Sequence, residues 1–170
     1  MSLFGRRVST WNSANPALSN YRGKQNIMIR PLRAEDLNQV VELWYCTSVL
    51  AHDFIPQEFW YSQKQAMHDI YLPNSNTWVY EQGDCILGFI AYYQGFIPAL
   101  FVSPNAQSQG IGQQLLDSLK QLHNPLQLAV YAENQRAHQF YLKQGFQEIE
   151  RRVCEHTQHD EIVMAWQASA

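Results

Sequence analysis

The chain has 170 residues, of which 46% are hydrophobic and 13% aromatic, enough to build one domain with a substantial core. Charged residues make up only 16%, which excludes a disordered acidic chain and a polybasic nucleic-acid-binding protein. Residues 28–170 contain 8 basic and 15 acidic residues, a net charge of −7. We therefore expect no nucleic-acid partner and a preference for cationic ones.

The first 27 residues differ from the rest in composition. They are rich in Ser, Asn, Gly and Arg, contain no acid and show no sustained periodicity. We predict a poorly ordered basic leader over 1–27 and a folded domain over 28–168, with an organelle transit peptide as an alternative for the leader. No apolar run reaches 18 residues and no signal-peptide core occurs, so we expect no membrane association.

The three cysteines, Cys46, Cys85 and Cys154, lie far apart and form no CxxC pair. This spacing favours free thiols in a reducing compartment, and we predict a cytoplasmic protein. The segment 154–160 has the order Cys-x-His-x-x-His but lacks a second ligand pair, so we interpret it as a solvated loop and expect no metal. A monomer and a homodimer are both compatible with the sequence.

The first half of the domain alternates between helix and strand patterns. Residues 27–31 have the composition of a short strand. Apolar residues then recur at helical spacing over 34–50 and again over 57–72, which predicts two helices. The β-rich runs that follow, the first two joined by a glycine-containing turn as in a hairpin, are 77–81, 85–93 and 97–102.

The second half begins with a polar, glycine-bearing segment at 103–112 that leads into an amphipathic helix over 111–122. A short apolar strand at 126–130 precedes a helix over 136–144, which Gly145 closes. The last two strands are predicted at 146–153 and 162–166. This order predicts an α+β fold with a single mixed, mostly antiparallel sheet flanked by about four helices.

The segment Gln107-Ser108-Gln109-Gly110-Ile111-Gly112 lies between a strand and the start of an amphipathic helix. Glycines let the backbone approach a ligand closely, and the free N–H groups and dipole of a helix N-terminus favour an anion. The pattern therefore suits a phosphate, although a plain strand-to-helix loop remains the alternative. Its spacing matches neither a P-loop nor a Rossmann turn.

The QxxGxG pattern follows a strand that ends in Phe101-Val102-Ser103-Pro104, and together they resemble the acetyl-CoA loop of the GNAT superfamily of N-acetyltransferases. The segment 134–146 is similar to a second motif of that family, which runs from Asn through Ala and Phe-Tyr to Gly-Phe. The resemblance covers about residues 28–166. Segments 52–55, 77–80 and 164–166 further resemble the YiaC-type bacterial lysine acetyltransferases.

The resemblance implies a GNAT fold whose sheet splays open to admit acetyl-CoA. The backbone of Leu100, Phe101 and Val102 would pair with the pantetheine amides, and the N–H of Phe101 or Val102 would polarise the thioester carbonyl. Tyr141 would protonate the departing thiolate as the general acid. The implied cofactor-binding residues are Leu100, Phe101, Val102, Gln107, Ser108, Gln109, Gly110, Ile111, Gly112, Gln113, Asn134 and Tyr141.

The loop departs from the family pattern because it contains glutamines and a serine where many relatives carry arginine or lysine. Neutral donors bind a diphosphate less strongly than charged ones, so we expect weaker cofactor affinity, unless Arg136 or Lys143 supplies the charge. The strand 97–102 contains no acid that could act as the base. Candidates for that role are Glu133, His52 and Asp53, with a water chain or proton loss to solvent as alternatives.

We expect His52, Phe54 and Phe96 on the acceptor side of the site, with Phe96 facing the cleft beside Gly95. Together these features predict an N-acetyltransferase that acts by direct transfer in a ternary complex, since neither motif offers a cysteine nucleophile. The acceptor is expected to be a primary amine, with the ε-amine of protein lysines as first choice. The alternatives are a small cationic amine and a non-catalytic acetyl-CoA-binding regulatory module.

Overall fold

A computed structural model describes residues 26–168, so nearly all of the predicted leader lies outside the described residues. The strands are β1 (Ile27–Pro31), β2 (Asn76–Gln82), β3 (Cys85–Tyr93), β4 (Phe96–Val102), β5 (Leu126–Tyr131), β6 (Gln147–Val153) and β7 (Asp160–Trp166). The helices are α1 (Leu37–Ala51), α2 (Gln57–Ala66), α3 (Ile111–Leu122) and α4 (Gln135–Lys143). No helix among residues 26–168 is long and apolar enough to cross a membrane.

The seven strands form one sheet in the order β1-β2-β3-β4-β5-β7-β6. Every neighbouring pair is antiparallel except β4 and β5, which are parallel. The predicted α+β fold, with one mixed, mostly antiparallel sheet and four helices, is therefore confirmed.

The helices cover both faces of the sheet because successive strand residues point to opposite faces. Ile90 and Leu128 pack with α3 and α4 on one face, whereas Phe89 and Val79 pack with α1 and α2 on the other. These four side chains are at most 1% exposed, and each such burial contributes about 1.5–3 kcal/mol.

The second predicted helix, 57–72, changes its geometry near its end. After α2 the chain makes a π-helical turn over Met67–Tyr71. Met67 and Leu72 are buried, while Ile70 and Tyr71 are exposed at 54% and 52%. Hydrophobic periodicity does not distinguish this wider turn from a regular helix, and such turns are frequent at functional sites.

The sheet opens between β4 and β5. The two strands share a single paired position, Phe96 with Gln127, where the Gln127 N–H donates to the Gly95 carbonyl at 2.9 Å. The register of β4 on β3 shifts just beyond this point, next to Pro98, which has no N–H to donate. Beyond the irregularity the strands diverge and leave a gap in the middle of the sheet.

Candidate active site

The gap between β4 and β5 forms the centre of a cleft of about 2150 Å³. Most of the predicted site residues line it, namely Leu100, Phe101, Val102, Gln107, Ser108, Gly110, Ile111, Gly112, Gln113, Asn134, Tyr141, His52 and Phe96. Two predicted residues do not. The Gln109 side chain turns back to donate to the Asn105 carbonyl at 3.2 Å, and the Phe54 ring lies behind His52.

The strand edge that faces the gap carries free backbone groups. In an antiparallel ladder, alternate residues point their N–H and C=O at the same neighbour. The Ser103 N–H donates to the Leu87 carbonyl at 2.8 Å, and Phe101 is paired with Phe89. The alternation therefore directs the Phe101 backbone towards β3 and the backbone of Leu100 and Val102 into the gap.

The loop after β4 presents a run of free amides. Ser108 and Gly110 have φ values of 63° and 81°, which turn successive N–H groups to one side before α3 begins. The Gln107 N–H donates to the Pro104 carbonyl, and the first bond of α3 runs from Gln114 to Gly110. Among the described residues no acceptor meets the N–H groups of 108–113, so they are available to an anion.

Gly112 leaves room at the start of α3. A Cβ atom there would lie 3.5 Å from the Phe140 ring and 3.7 Å from the Val102 side chain, which are ordinary contact distances. The fold itself therefore tolerates a methyl group at this position. Close approach of a ligand to the loop backbone is the stronger reason for glycine here.

A cation lies beside this otherwise neutral loop. Arg136, in the first turn of α4, donates from Nη2 to the Ser108 hydroxyl at 3.3 Å. Lys143, at the other end of α4, also lines the cleft. The helix thus supplies at least one positive charge that the loop sequence lacks.

Tyr141 lies on α4 with its ring between Phe140 and Phe146, and the residue is 9% exposed. Burial raises the pKa of its hydroxyl above the usual value of 10.0, so the group stays protonated at neutral pH. No described residue forms a hydrogen bond with this hydroxyl. A buried proton donor on the wall of the cleft is therefore free for a ligand.

Asn134 begins α4 and has two side-chain contacts. Its Oδ1 accepts the Ala137 N–H at 3.1 Å, which caps the helix. Its Nδ2 lies 3.2 Å from Nε2 of His52, which stands at the C-terminal end of α1. Asn134 therefore joins the start of α4 to the opposite helical layer.

His52 is held by aromatic rings. It stacks on Trp60 at 5.2 Å between ring centres and meets Phe54 and Tyr131 edge-on. Burial lowers its pKa from 6.5 to about 4, so the ring is neutral at neutral pH. With Nε2 already in contact with Asn134, His52 is a poor candidate for the base.

The other two candidate bases lie off the cleft surface. Glu133 pairs with His159 at 2.9 Å, which lowers the pKa of its carboxyl. Asp53 is exposed, and neither acid lines the cleft. The structure therefore brings no free carboxylate among the three candidates to the gap.

Sequence reasoning missed Tyr131 and the Glu161–Arg152 pair, all of which line the cleft. Tyr131 ends β5, and its hydroxyl accepts a hydrogen bond from Thr157 at 3.3 Å; burial raises its pKa to about 12. Glu161 lies opposite Tyr131 on β7 and binds Arg152 of β6 at 2.5 Å. Tyr131 stands at a strand end, three residues before Asn134, and this position is the sequence feature that could have predicted its place in the cleft.

The residues present fit a long acyl carrier with amide groups and a diphosphate. The backbone N–H and C=O of Leu100 and the N–H of Val102 match an amide-containing arm, while the Val102 carbonyl accepts from the Gln107 side chain at 3.0 Å. The amides of 108–113 match a phosphate group. The unpaired Tyr141 hydroxyl lies on the wall of the same cleft. Fold and site together define an acyltransferase that uses a coenzyme A thioester.

Comparison with known proteins agrees with this class of enzyme. A protein-family model described as an acetyltransferase (GNAT) domain matches residues 35–165. The chain is 36% identical over 140 residues to the peptidyl-lysine N-acetyltransferase YiaC of Escherichia coli K12, covering 82% of this chain and 96% of that relative. It is 30% identical over 121 residues to the peptidyl-lysine N-acetyltransferase YjaB of Salmonella typhimurium, covering 71% and 83%.

Solved structures show the same fold. The solution structure of apo YjaB from Escherichia coli superposes with a TM-score of 0.73 at 26% identity, covering 82% of this chain and 97% of that one. The PaiA N-acetyltransferase of Thermoplasma acidophilum in complex with coenzyme A superposes with a TM-score of 0.71 at 18% identity, covering 84% of this chain and 99% of that one. The chain belongs to the GNAT acetyltransferase family and is an acetyl-CoA-dependent N-acetyltransferase, as the two sequence motifs predicted.

Proposed function

We propose that this enzyme transfers the acetyl group of acetyl-CoA directly to the ε-amine of lysine residues in polypeptides. The observation that carries the proposal is the cleft, in which free backbone groups of β4, the amides of 108–113 and the Tyr141 hydroxyl come together. Similarity to peptidyl-lysine N-acetyltransferases supports the choice of acceptor.

The cofactor is held mainly by backbone. Leu100 and Val102 pair with the pantetheine amides, since their backbone groups face the gap, whereas that of Phe101 faces β3. The amides of 108–113 hold the diphosphate, and Arg136 adds a positive charge beside them. Of the two N–H groups expected to polarise the thioester carbonyl, that of Phe101 faces β3, so that of Val102 is the donor available in the gap.

Tyr141 acts as the general acid. The thioester supplies an activated acetyl group. Its carbon–sulfur bond breaks as the amine nitrogen forms the new carbon–nitrogen bond, and the proton that the nitrogen then loses passes to water. Tyr141 donates its proton to the departing sulfur and recovers one from water. Because a thiolate is a stronger hydrogen-bond acceptor than a thioester sulfur, this contact strengthens as the reaction proceeds.

The acceptor amine loses its proton to solvent. His52 is neutral with Nε2 in contact with Asn134, and Glu133 and Asp53 do not line the cleft. The exposed rim of the cleft at Leu50, Ile70 and Tyr71 gives water access to the nitrogen from the acceptor side. Activity is therefore expected to rise with pH as the free-amine fraction of the acceptor increases, since the reference pKa of lysine is about 10.4.

The acceptor side suits a polypeptide. Leu50, Ile70 and Tyr71 line the cleft and are 67%, 54% and 52% exposed, an apolar rim of little use to a small polyamine. The net charge of −7 over 28–170 favours approach of a basic segment. A cytoplasmic location remains the accompanying prediction.

The direct test incubates the enzyme with acetyl-CoA and matched peptides that present lysine, acetyl-lysine or arginine at one position, together with a free N-terminus and a polyamine. Release of coenzyme A thiol and the acetylated position by mass spectrometry are the measurements. We expect acetylation of the lysine peptide and none of the acetyl-lysine or arginine controls. Faster turnover of the polyamine, or modification of the N-terminal amine alone, would contradict the proposed acceptor.

A further inference from the structure

The orientation of the Asn134 amide is fixed by its two neighbours. The Ala137 N–H can only donate, so the atom 3.1 Å from it is the amide oxygen. The amide NH₂ group therefore faces His52, and Nε2 of that ring must accept its hydrogen at 3.2 Å. The ring proton consequently resides on Nδ1.

The surroundings of His52 keep this acceptor neutral. The residue is 9% exposed, its ring neighbours are Trp60, Phe54 and Tyr131, and no described carboxylate or cation pairs with it. Nδ1 is fully buried near the Ser48 carbonyl, which raises the pKa of the ring against the effect of burial but is not aligned for a hydrogen bond of good geometry. A buried N–H with so poorly aligned an acceptor contributes little to the stability of the fold. Packing alone would be better served by an apolar side chain, so the choice of histidine points to the contact at Nε2.

The contact joins two parts of the site that the sheet leaves apart. His52 follows α1 on one face of the sheet, and Asn134 precedes α4 on the other. The strands between them are paired only at Phe96 and Gln127, at the other end of the gap. The His52–Asn134 hydrogen bond thus connects the end of α1 to the start of α4, the helix that carries Tyr141, at the open end of the cleft.

We propose that His52 is a positioning residue, which accepts a hydrogen bond from Asn134 and so fixes the Asn134 amide and the first turn of α4 for cofactor binding and acetyl transfer. The inference rests on the proposed function, because it takes Tyr141 as the general acid, and it takes Asn134 as a cofactor-binding residue, as the family resemblance implies. His52 touches neither reacting group in this role. It acts through Asn134.

Two substitutions separate the hydrogen bond from packing. His52→Phe keeps an aromatic ring beside Trp60 and removes the acceptor, whereas His52→Gln places an amide oxygen near the position of Nε2. We expect kcat/KM for acetyl-CoA to fall about five- to tenfold in His52→Phe and to stay within about twofold in His52→Gln, because one neutral hydrogen bond is lost in the first and kept in the second. Thermal unfolding checks that both variants are folded.

A double-mutant cycle with Asn134→Ala tests whether the effect passes through Asn134. In the Asn134→Ala background, His52→Phe should cause no further loss in kcat/KM or in acetyl-CoA affinity measured by calorimetry. An additive loss, full activity of His52→Phe, or a His52→Gln variant as impaired as His52→Phe would each overturn the proposal. If His52→Phe does not fold, His52→Leu takes its place in the cycle.

One measurement is independent of catalysis. The ¹⁵N spectrum of the His52 ring should show an acceptor nitrogen at Nε2 and a protonated Nδ1, and this tautomer preference should weaken in Asn134→Ala. The opposite tautomer would overturn the proposal even in a fully active enzyme. Conversely, a wild type that acetylates no lysine peptide contradicts the proposed function, and the cycle is then decided on acetyl-CoA affinity and the ring spectrum.

Discussion

The two sides of the cleft are built in different ways. On the cofactor side the groups come from one continuous stretch, 100–113, and most of them are backbone N–H and C=O groups. On the acceptor side His52 is held by contacts between side chains remote in sequence, including the one to Asn134, 82 residues away. A backbone site depends on local conformation and a side-chain site on tertiary packing, so the two should respond differently to substitution.

The largest effect is expected where the two sides meet, at Tyr141. Tyr141→Phe keeps the ring between Phe140 and Phe146 and removes only a hydroxyl that no described residue binds. Stability and acetyl-CoA affinity should change little. The value of kcat should fall on the order of 10²–10⁴-fold, as for loss of a general acid, where chemistry limits the rate. Single-turnover measurements test this.

Tyr80→Phe is the matched control, because Tyr80 is 4% exposed in the same core but does not line the cleft. Its kcat should equal that of the wild type. Full turnover of Tyr141→Phe would mean that the thiolate leaves unprotonated or takes its proton from another donor.

The backbone side is tested at Gly112. A valine there should lower acetyl-CoA affinity about a hundredfold, because its branched side chain blocks the approach of the diphosphate to several amides at once. Gly112→Ala, whose methyl group would stand in ordinary contact with Phe140 and Val102, should fold normally and lose less. Calorimetry on the folded variants measures both, and unchanged affinity in Gly112→Val would remove the loop from the binding site.

The same contrast explains how much could be predicted from the sequence. The order of helices and strands along the chain and the loop at 107–113 follow from local patterns. The comparisons confirm the family that the two sequence motifs indicated. Phe54 was expected on the cleft, yet it packs behind His52 because Tyr131 and His159 supply its neighbours. No local pattern specifies such contacts, and Tyr131 and the Glu161–Arg152 pair were missed for the same reason.

Protonation of His52 should lower the free energy of unfolding. Its pKa is about 4 in the folded chain, against the ordinary histidine value of 6.5 expected after unfolding, so the unfolded chain takes up the proton first. The stability that the fold gains by keeping His52 neutral is therefore fully present above pH 6.5. It is lost as the pH falls towards 4, and the loss is at most about 3 kcal/mol. Denaturant titrations across this range should give a shallower pH dependence in His52→Phe.

Carboxylates that are paired in the fold lose their contribution to stability at a lower pH than His52 does. Arg30 holds the pKa values of Asp36 and Glu81 below their usual values. The stability that these two carboxylates contribute is therefore lost only below about pH 4.5. The difference between wild type and His52→Phe above that pH isolates the histidine. Identical slopes in the two proteins would show that His52 is protonated in the fold as easily as in the unfolded chain.

The smallest effect is expected at Arg136, whose charge supplements the neutral loop through Ser108. Because the side chain is exposed, salt screens it, and Arg136→Gln should weaken acetyl-CoA binding only about two- to fivefold at low ionic strength. The wild type should show a modest loss of affinity with salt, and Arg136→Gln a smaller one. Arg151→Gln, an exposed change on β6 away from the cleft, should match the wild type at every salt concentration. A steep salt dependence that survives in Arg136→Gln would assign the phosphates to another cation, with Lys143 at the far end of α4 as the next to test.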